Sequence, residues 1–253
     1  MAEIDLSPKN AIVLGVADEK SLAYTIAKKL GMAGANLIIG YQLRNEAKIT
    51  HIRNEINADF LPFDVMDDDL SEEFFKQVSE RFGKIDYLVH SIAFTKRETL
   101  KGSLVDTTKE NYILANDVSV FSLPFIVQKF QSIMNENSSI IALTFMERVF
   151  PNYNVMGICK AGLNASIRYL ANDLGERQIR VNGISAGPVP TSAAGAIDTF
   201  PKMLEAYEKK SPLKRNITSE EVANTALFLL SDLSKGITGQ IIYVDAGYSV
   251  MGL

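Results

Sequence analysis

The stretch Asn10-Ala-Ile-Val-Leu-Gly15-Val-Ala-Asp-Glu-Lys20-Ser21-Leu-Ala-Tyr-Thr-Ile-Ala-Lys-Lys-Leu30-Gly-Met-Ala-Gly-Ala-Asn36-Leu-Ile-Ile-Gly-Tyr41 decides the fold. It opens with a short apolar run closed by Gly15, the pattern of a buried strand. After a polar turn, residues 21–30 place apolar side chains at helical spacing, with Ser21 near the start. Residues 36–41 form a second apolar run. Strand, turn, helix and strand make a βαβ unit. Such a unit sets a helix N-terminus at the carboxyl end of the first strand, where backbone N–H groups hold a pyrophosphate.

The alternation runs on. Further strands are predicted at 58–64, 85–90, 139–144, 180–184 and 240–244. Helices are predicted at 46–56, 69–82, 108–134 and onward from Tyr153 to Leu174, with Pro124 kinking or dividing the third. A last helix to Leu230 opens on the capping box Thr218-Ser-Glu-Glu221. Seven apolar runs alternating with helices predict one α/β domain over residues 1–253: a single-domain, Rossmann-like, doubly wound parallel seven-stranded sheet covered on both faces. Residues 186–197, rich in Gly, Pro, Ser and Ala, follow the sixth strand at the edge where ligands bind in such sheets. They read as a plain connection or as the start of a substrate lid over about 186–210.

Composition limits the function classes. With 47% hydrophobic and 22% charged residues, the chain has the balance of an ordinary globular domain. A net charge of −4 and no cluster of Lys and Arg argue against a general nucleic-acid binder. No long apolar run fit to cross a bilayer is seen, and the acidic N-terminus lacks a signal peptide's apolar core. A soluble cytoplasmic protein with no membrane partner is expected. Cys159 is alone and reads as a small core hydrophobe. With His51 and His90 as the only histidines, no His/Cys metal site is expected.

The second informative stretch is Pro151-Asn-Tyr153-Asn-Val-Met-Gly-Ile-Cys-Lys160. On a helix, seven residues turn through roughly 700° and climb about 10 Å, so the two side chains share a face about 20° apart. A phenol beside a cation ionises more easily. Tyr153 then reads as a proton donor or oxyanion stabiliser, with Lys160 tuning its pKa. Met in isolation, the pair also reads as a surface tyrosine and a solvated lysine. The first turn is no full G-x-G-x-x-G, carrying Gly15, Ala17 and Ser21, so it is a weak dinucleotide signal by itself.

Five blocks together resemble a known family. They are Gly15-Val-Ala-Asp-Glu-Lys-Ser21-Leu-Ala23, Phe63-Asp64-Val65, His90-Ser-Ile-Ala-Phe94, Tyr153 to Lys160, and Arg180-Val-Asn-Gly-Ile-Ser-Ala-Gly-Pro188. In order and spacing they resemble the enoyl-acyl-carrier-protein reductases of bacterial type II fatty-acid synthesis. That family is a divergent branch of the short-chain dehydrogenase/reductases, and the likeness runs from Asn10 to Tyr248. Its Tyr-x6-Lys spacing replaces the Tyr-x3-Lys of ordinary members.

The resemblance implies an oxidoreductase of lipid metabolism that reduces an enoyl thioester, on acyl carrier protein or coenzyme A, as a homotetramer. The last strand and residues 247–253 would lie near a subunit contact. It further implies that Gly15, Ser21 and Leu22 line the pyrophosphate and that Gln42 faces the adenosine ribose. Asp64 and Val65 would hold the adenine, with Ile92 packed near the same nucleotide. Lys160 would bond the nicotinamide ribose, Val189 and Thr191 would touch the nicotinamide end, and Thr95 would lie beside substrate. The wider spacing shifts the tyrosine about 4–5 Å along the helix, which suits an enolate oxygen better than a ketone oxygen. Gln42 offers no charge to a phosphate, which favours NADH over NADPH; Arg44 reads as a 2′-phosphate contact or as a solvent-facing side chain.

Three departures stand out. Phe145 occupies the place of the family's second active-site tyrosine in a loop two residues shorter, Pro188-Val-Pro190-Thr191 lacks the family's arginine, and basic residues near the lid are thinned around Asp198 and Pro201. They suggest a specialised paralogue with an unusual enoyl thioester. The competing readings are a carbonyl reductase using the same Tyr/Lys pair and a catalytically weak nucleotide-binding regulator.

Overall fold

A computed structural model describes residues 4–252, so residues 1–3 and 253 of the expected unit lie outside the described residues. Its centre is one sheet of seven strands: β1 (Asn10–Leu14), β2 (Asn36–Tyr41), β3 (Asp59–Pro62), β4 (Ile85–His90), β5 (Met134–Thr144), β6 (Arg180–Ala186) and β7 (Ile241–Val244). All neighbours run parallel in the order β3-β2-β1-β4-β5-β6-β7. The helices are α1 (Leu22–Met32), α2 (Glu46–Ile52), α3 (Asp68–Phe82), α4 (Lys109–Asn116), α5 (Ser122–Phe130), α6 (Asn154–Leu174), α7 (Phe200–Lys210) and α8 (Ser219–Leu230).

The apolar runs are continuous because every central strand is buried on both faces. Along β1, Ala11 and Val13 join a core with Ile26, Ile49 and Val222 of α1, α2 and α8. The alternate residues Ile12 and Leu14 join a second core with Phe74, Phe130 and Leu163 of α3, α5 and α6. The strand order turns back on itself between β1 and β4, and this switch point opens a crevice at the carboxyl edge.

The main differences from expectation have local causes. Strand β5 begins at Met134 rather than 139, with a register break opposite Ile85 and Tyr87. The helix predicted over 108–134 is divided into α4, a π-helical turn at Asp117–Phe121 and α5. Pro124 has no N–H for the Val120 carbonyl and crowds it, so the break falls just upstream of the proline. By length and composition alone, Lys109–Phe130 would suffice to span a membrane, contrary to the reading that no such run exists. Leu123, Ile126, Val127 and Phe130 of this stretch are instead buried against the sheet.

The capping box at α8 forms as expected, Thr218 accepting from Glu221 N and Glu221 accepting from Thr218 N. The other end of α8 is held by a side chain that begins β6. The buried Arg180 guanidinium donates to the carbonyls of Leu229, Leu230 and Ser231 at 2.7, 3.4 and 3.1 Å, and to Ser234 Oγ at 2.9 Å. Helix-terminal carbonyls lack intrahelical partners, and leaving them buried without donors is costly. Arg180→Met should therefore lower stability by roughly 3 kcal/mol, a drop of about 6–12 °C in Tm by calorimetry for a chain of this size.

Candidate active site

A cavity of about 440 Å³ lies at the carboxyl edge. The β1–α1 turn forms one wall through Gly15, Asp18, Ser21 and Leu22, the segments after β2 and β3 add Gln42, Arg44, Asp64 and Val65, and α2 adds Lys48. The far side is made by Ile92, Leu143 and Lys160, and the loop after β6 closes it with Thr191 and Ser192.

Gly15 is required at its place. Its φ is +96°, and a Cβ there would meet the Ser91 carbonyl oxygen at 2.1 Å. Ser21 caps α1 by accepting from Tyr24 N at 3.4 Å while its hydroxyl donates to the Asp18 carbonyl at 2.7 Å. The Asp18 carboxylate is buried. It accepts from Ser192 Oγ at 2.6 Å, Lys48 Nζ at 3.1 Å and the Lys20 N–H at 3.1 Å. Burial alone raises its pKa, but the hydrogen bonds from Ser192, Lys48 and Lys20 outweigh this and hold it below the usual carboxylate value. Beyond β2, Gln42 Nε2 donates to Asp64 Oδ2 at 2.8 Å, and the Arg44 guanidinium lies over the Phe94 ring at 5.5 Å.

At the other end, Lys160 Nζ donates to the Leu143 carbonyl at 2.9 Å. Burial pulls this ammonium down to about 8. Below it, Thr144 Oγ1 donates to Asn164 Oδ1 at 2.6 Å, and Asn164 Nδ2 donates to Glu147 at 2.9 Å. His90 Nε2 sits 2.8 Å from Ser122 Oγ, whose proton goes to the Val118 carbonyl at 2.7 Å, so Nε2 carries the ring hydrogen. Burial and the Lys160 charge push His90 down to about 3, which keeps it neutral. In the π-helical turn, Ser119 Oγ accepts from Phe94 N at 3.0 Å and donates to Phe94 O at 3.2 Å, bracketing the strip that follows β4.

Tyr153 occupies the cap position ahead of α6, between Asn152 at φ 66° and Asn154 at φ 41°. Left-handed backbone suits asparagine better than most residues. Asn154 Nδ2 donates to the carbonyls of Thr99, Lys101 and Gly102 at 3.2–3.4 Å, tying this corner to the loop beyond β4. The Tyr153 ring meets Phe145 edge-on at 5.4 Å, and Phe145 meets Phe150 at 5.0 Å. Two expectations are corrected here. Tyr153 precedes the helix, so helical-wheel stacking does not place it over Lys160. Burial, with a smaller contribution from Cys159, pushes the phenol above its ordinary value, and the ammonium that was to lower it is turned to the Leu143 carbonyl.

The structure brings Gly15, Ser21, Leu22, Gln42, Asp64, Val65, Ile92, Lys160 and Thr191 into this one cavity. Val189 is half-buried and packs against the core cluster that also holds Leu143 and Leu22, just outside the cavity lining. Thr95 and Tyr153 also stand outside the cavity wall, and Thr95 Oγ1 is engaged by Thr99 Oγ1 at 2.6 Å.

A profile of the family described as enoyl-(acyl carrier protein) reductase matches residues 15–249. The chain belongs to that family. It is 43% identical to the NADH enoyl-[acyl-carrier-protein] reductase FabI of Nostoc sp. strain PCC 7120, over 99% of this chain and 100% of the relative. Among solved structures, the Bacillus cereus enoyl-acyl carrier protein reductase with NADP+ and indole naphthyridinone superposes with a TM-score of 0.95, at 42% identity and complete coverage of both chains. The Anaplasma phagocytophilum reductase in complex with NAD gives 0.93 at 39% identity, covering 99% of this chain and 96% of that one.

The cavity suits the dinucleotide that this family's name implies. A capped helix N-terminus favours an anion at its middle, a polar amide–carboxylate pair sits at one end, and a buried ammonium waits at the other. Sequence reading assigned no role to Asp18 and Asn154, though both lie inside the quoted blocks, nor to Lys48, Ser192 and Asn164, which belong to no motif with a fixed local spacing.

The buried ammonium yields a pH signature. Its pKa of about 8 lies below the 10.5 of the unfolded chain. Between those values the unfolded state binds a proton that the folded state lacks, so stability rises with pH. Relative to Lys160→Met, the wild-type unfolding free energy should grow by about 2 kcal/mol from roughly pH 8 to pH 9.5, read by denaturant titration.

Proposed function

We propose that this chain reduces the C2=C3 double bond of an enoyl thioester with NADH, and that the thioester is carried on acyl carrier protein. The observation that carries the assignment of roles is the single cavity running from the Gln42–Asp64 pair to the buried Lys160, with Tyr153 at the foot of the same helix. Bound NADH supplies a hydride to the β-carbon of the substrate.

Negative charge then develops on the thioester oxygen. Tyr153, held as a neutral phenol by burial, donates a hydrogen bond to that oxygen. Lys160 orients the nicotinamide ribose with an ammonium anchored on Leu143 O. Gly15, Ser21 and Leu22 receive the diphosphate, and Gln42, Asp64, Val65 and Ile92 receive the adenosine half.

Residues 186–210 act as a substrate lid. In support, Ile197 packs with Tyr153 in one apolar cluster, Thr199 Oγ1 donates to the Pro151 carbonyl at 3.4 Å, and Asp198 pairs with Lys101 at 3.5 Å. In this reading an acyl chain enters by lifting residues 197–199. Phe145 and Phe150 set an apolar edge beside Tyr153, and Phe145 brings no hydroxyl there, which supports a specialised thioester. Coenzyme A thioesters form the second class to test.

A homotetramer in the cytoplasm completes the reading. It is supported by apolar side chains left exposed on α4 and the turn after it (Ile113, Phe121), on α6 (Tyr169) and towards the chain end (Tyr243, Val250). No observation in the structure favours carbonyl reduction over this reading.

The decisive assay follows NADH oxidation with crotonyl and longer enoyl thioesters on both carriers. Tyr153→Phe should lower kcat by about 100-fold or more while NADH affinity is kept. Unchanged turnover would overturn the assignment of Tyr153. High rates on every common carrier-bound chain length would overturn the specialised substrate. NADH oxidation with simple ketones and none with enoyl thioesters would overturn the reaction class.

A further inference from the structure

The cleft contains a charged junction that the reaction does not use. Asp18 in the β1–α1 turn, Lys48 on α2 and Ser192 in the loop after β6 all line the cavity, and they come from three separate walls. Ser192 Oγ donates to Asp18 Oδ2 at 2.6 Å across 174 residues of chain, and Lys48 Nζ donates to the same oxygen at 3.1 Å. The acceptor is buried, with 4% of its surface exposed, whereas Ser192 is exposed and the Lys48 side chain is 56% exposed. A carboxylate closed in this way is rigid, while its two partners sit on the solvent side and are free to part from it.

The chemistry of the place makes the carboxylate unusual. Asp18 stands three residues before Ser21, the cap of a helix N-terminus that favours anions. A dinucleotide diphosphate received there would sit near a second negative group. The junction tolerates this because Lys48 already neutralises the carboxylate. The Thr191–Ala193 segment is otherwise held by local bonds: Thr191 N donates to Val189 O, and Ala194 N donates to Thr191 Oγ1. The recorded side-chain bond from this segment to the opposite wall is the one from Ser192.

We propose that Asp18, Lys48 and Ser192 form a latch that ties the root of the lid to the nucleotide turn and gates passage of the dinucleotide into and out of the cleft. The latch rests on the cleft being the NADH site, but it concerns exchange rates and not the chemical step. A charge-assisted hydrogen bond joins two walls, so both entry and exit require it to open. Removing it should speed both, and leave the ratio that sets affinity nearly constant. A merely structural contact behaves differently, since its loss would weaken binding through faster exit alone.

Stopped-flow NADH fluorescence on the full chain tests this without turnover. Ser192→Ala, at an exposed loop position, should raise the association and dissociation rates together by about tenfold, with Kd changed by less than about threefold. Ser192→Thr keeps a hydroxyl and should restore slow exchange. Asp18→Asn keeps an acceptor but loses the ion pair, and should exchange faster than wild type with a weaker dependence on salt. Rates for Ser192→Ala within twofold of wild type would overturn the latch. So would a rise in dissociation alone. Failure of the wild-type chain to bind NADH would overturn the cleft assignment and the latch together, which separates the two failures.

Discussion

The site depends on one cation taken out of water. The Lys160 ammonium is buried at the edge of the sheet, where an unpaired charge would cost several kcal/mol. Burial pulls it down to about 8, and the Leu143 carbonyl near the end of β5 accepts one of its hydrogens. Strand β5 ends there because it lies between β4 and β6, parallel to both. A parallel sheet delivers every carboxyl end to one edge, so the same constraint brings Gly15, Gln42, Asp64 and Ile92 to the wall facing the lysine. The Thr144–Asn164–Glu147 chain extends the polar support behind it and fixes α6 against the end of β5.

Much of this architecture was legible because it rests on short-range physics. Apolar runs buried on both faces announce parallel strands, and Thr218 with Glu221 announces the start of α8. The βαβ unit at 10–41 located the anion-binding helix end even though its glycine pattern is incomplete. Gly15 was the one glycine that the turn needed, and the Ser91 carbonyl explains why.

What escaped the sequence is long-range or geometric. Nothing local to Asp18 says that its carboxylate meets Ser192, and nothing near His90 says that Ser122 will take its ring hydrogen. The Tyr153–Lys160 interval was read as a helix repeat, yet the tyrosine sits outside the helix, in a corner made by two left-handed asparagines. The seven-residue spacing therefore identifies the pair without describing its geometry. Asn154, clasping three carbonyls of the loop beyond β4, sets that geometry and carries no motif of its own.

The correction at Tyr153 changes what the residue is able to do. A phenol with a lowered pKa would offer a phenolate, which repels an oxygen acquiring negative charge. A phenol raised by burial keeps its proton, and a neutral donor gains strength as charge appears on its acceptor. The lysine's role separates accordingly. Anchored on Leu143 O and lining the cavity that Tyr153 does not line, it acts on the cofactor's side of the site in the proposed reaction. In the proposed reaction the phenol acts on the substrate's side, against Phe145 and beside the apolar cluster that Ile197 also joins. Two residues that look like one acid–base unit in the sequence are thus two positioned groups with different partners. The left-handed corner at Asn152 and Asn154 and the helix that follows it together set the distance between those partners in the proposed reaction, which adds a hydride at one carbon and stabilises charge at a more distant oxygen.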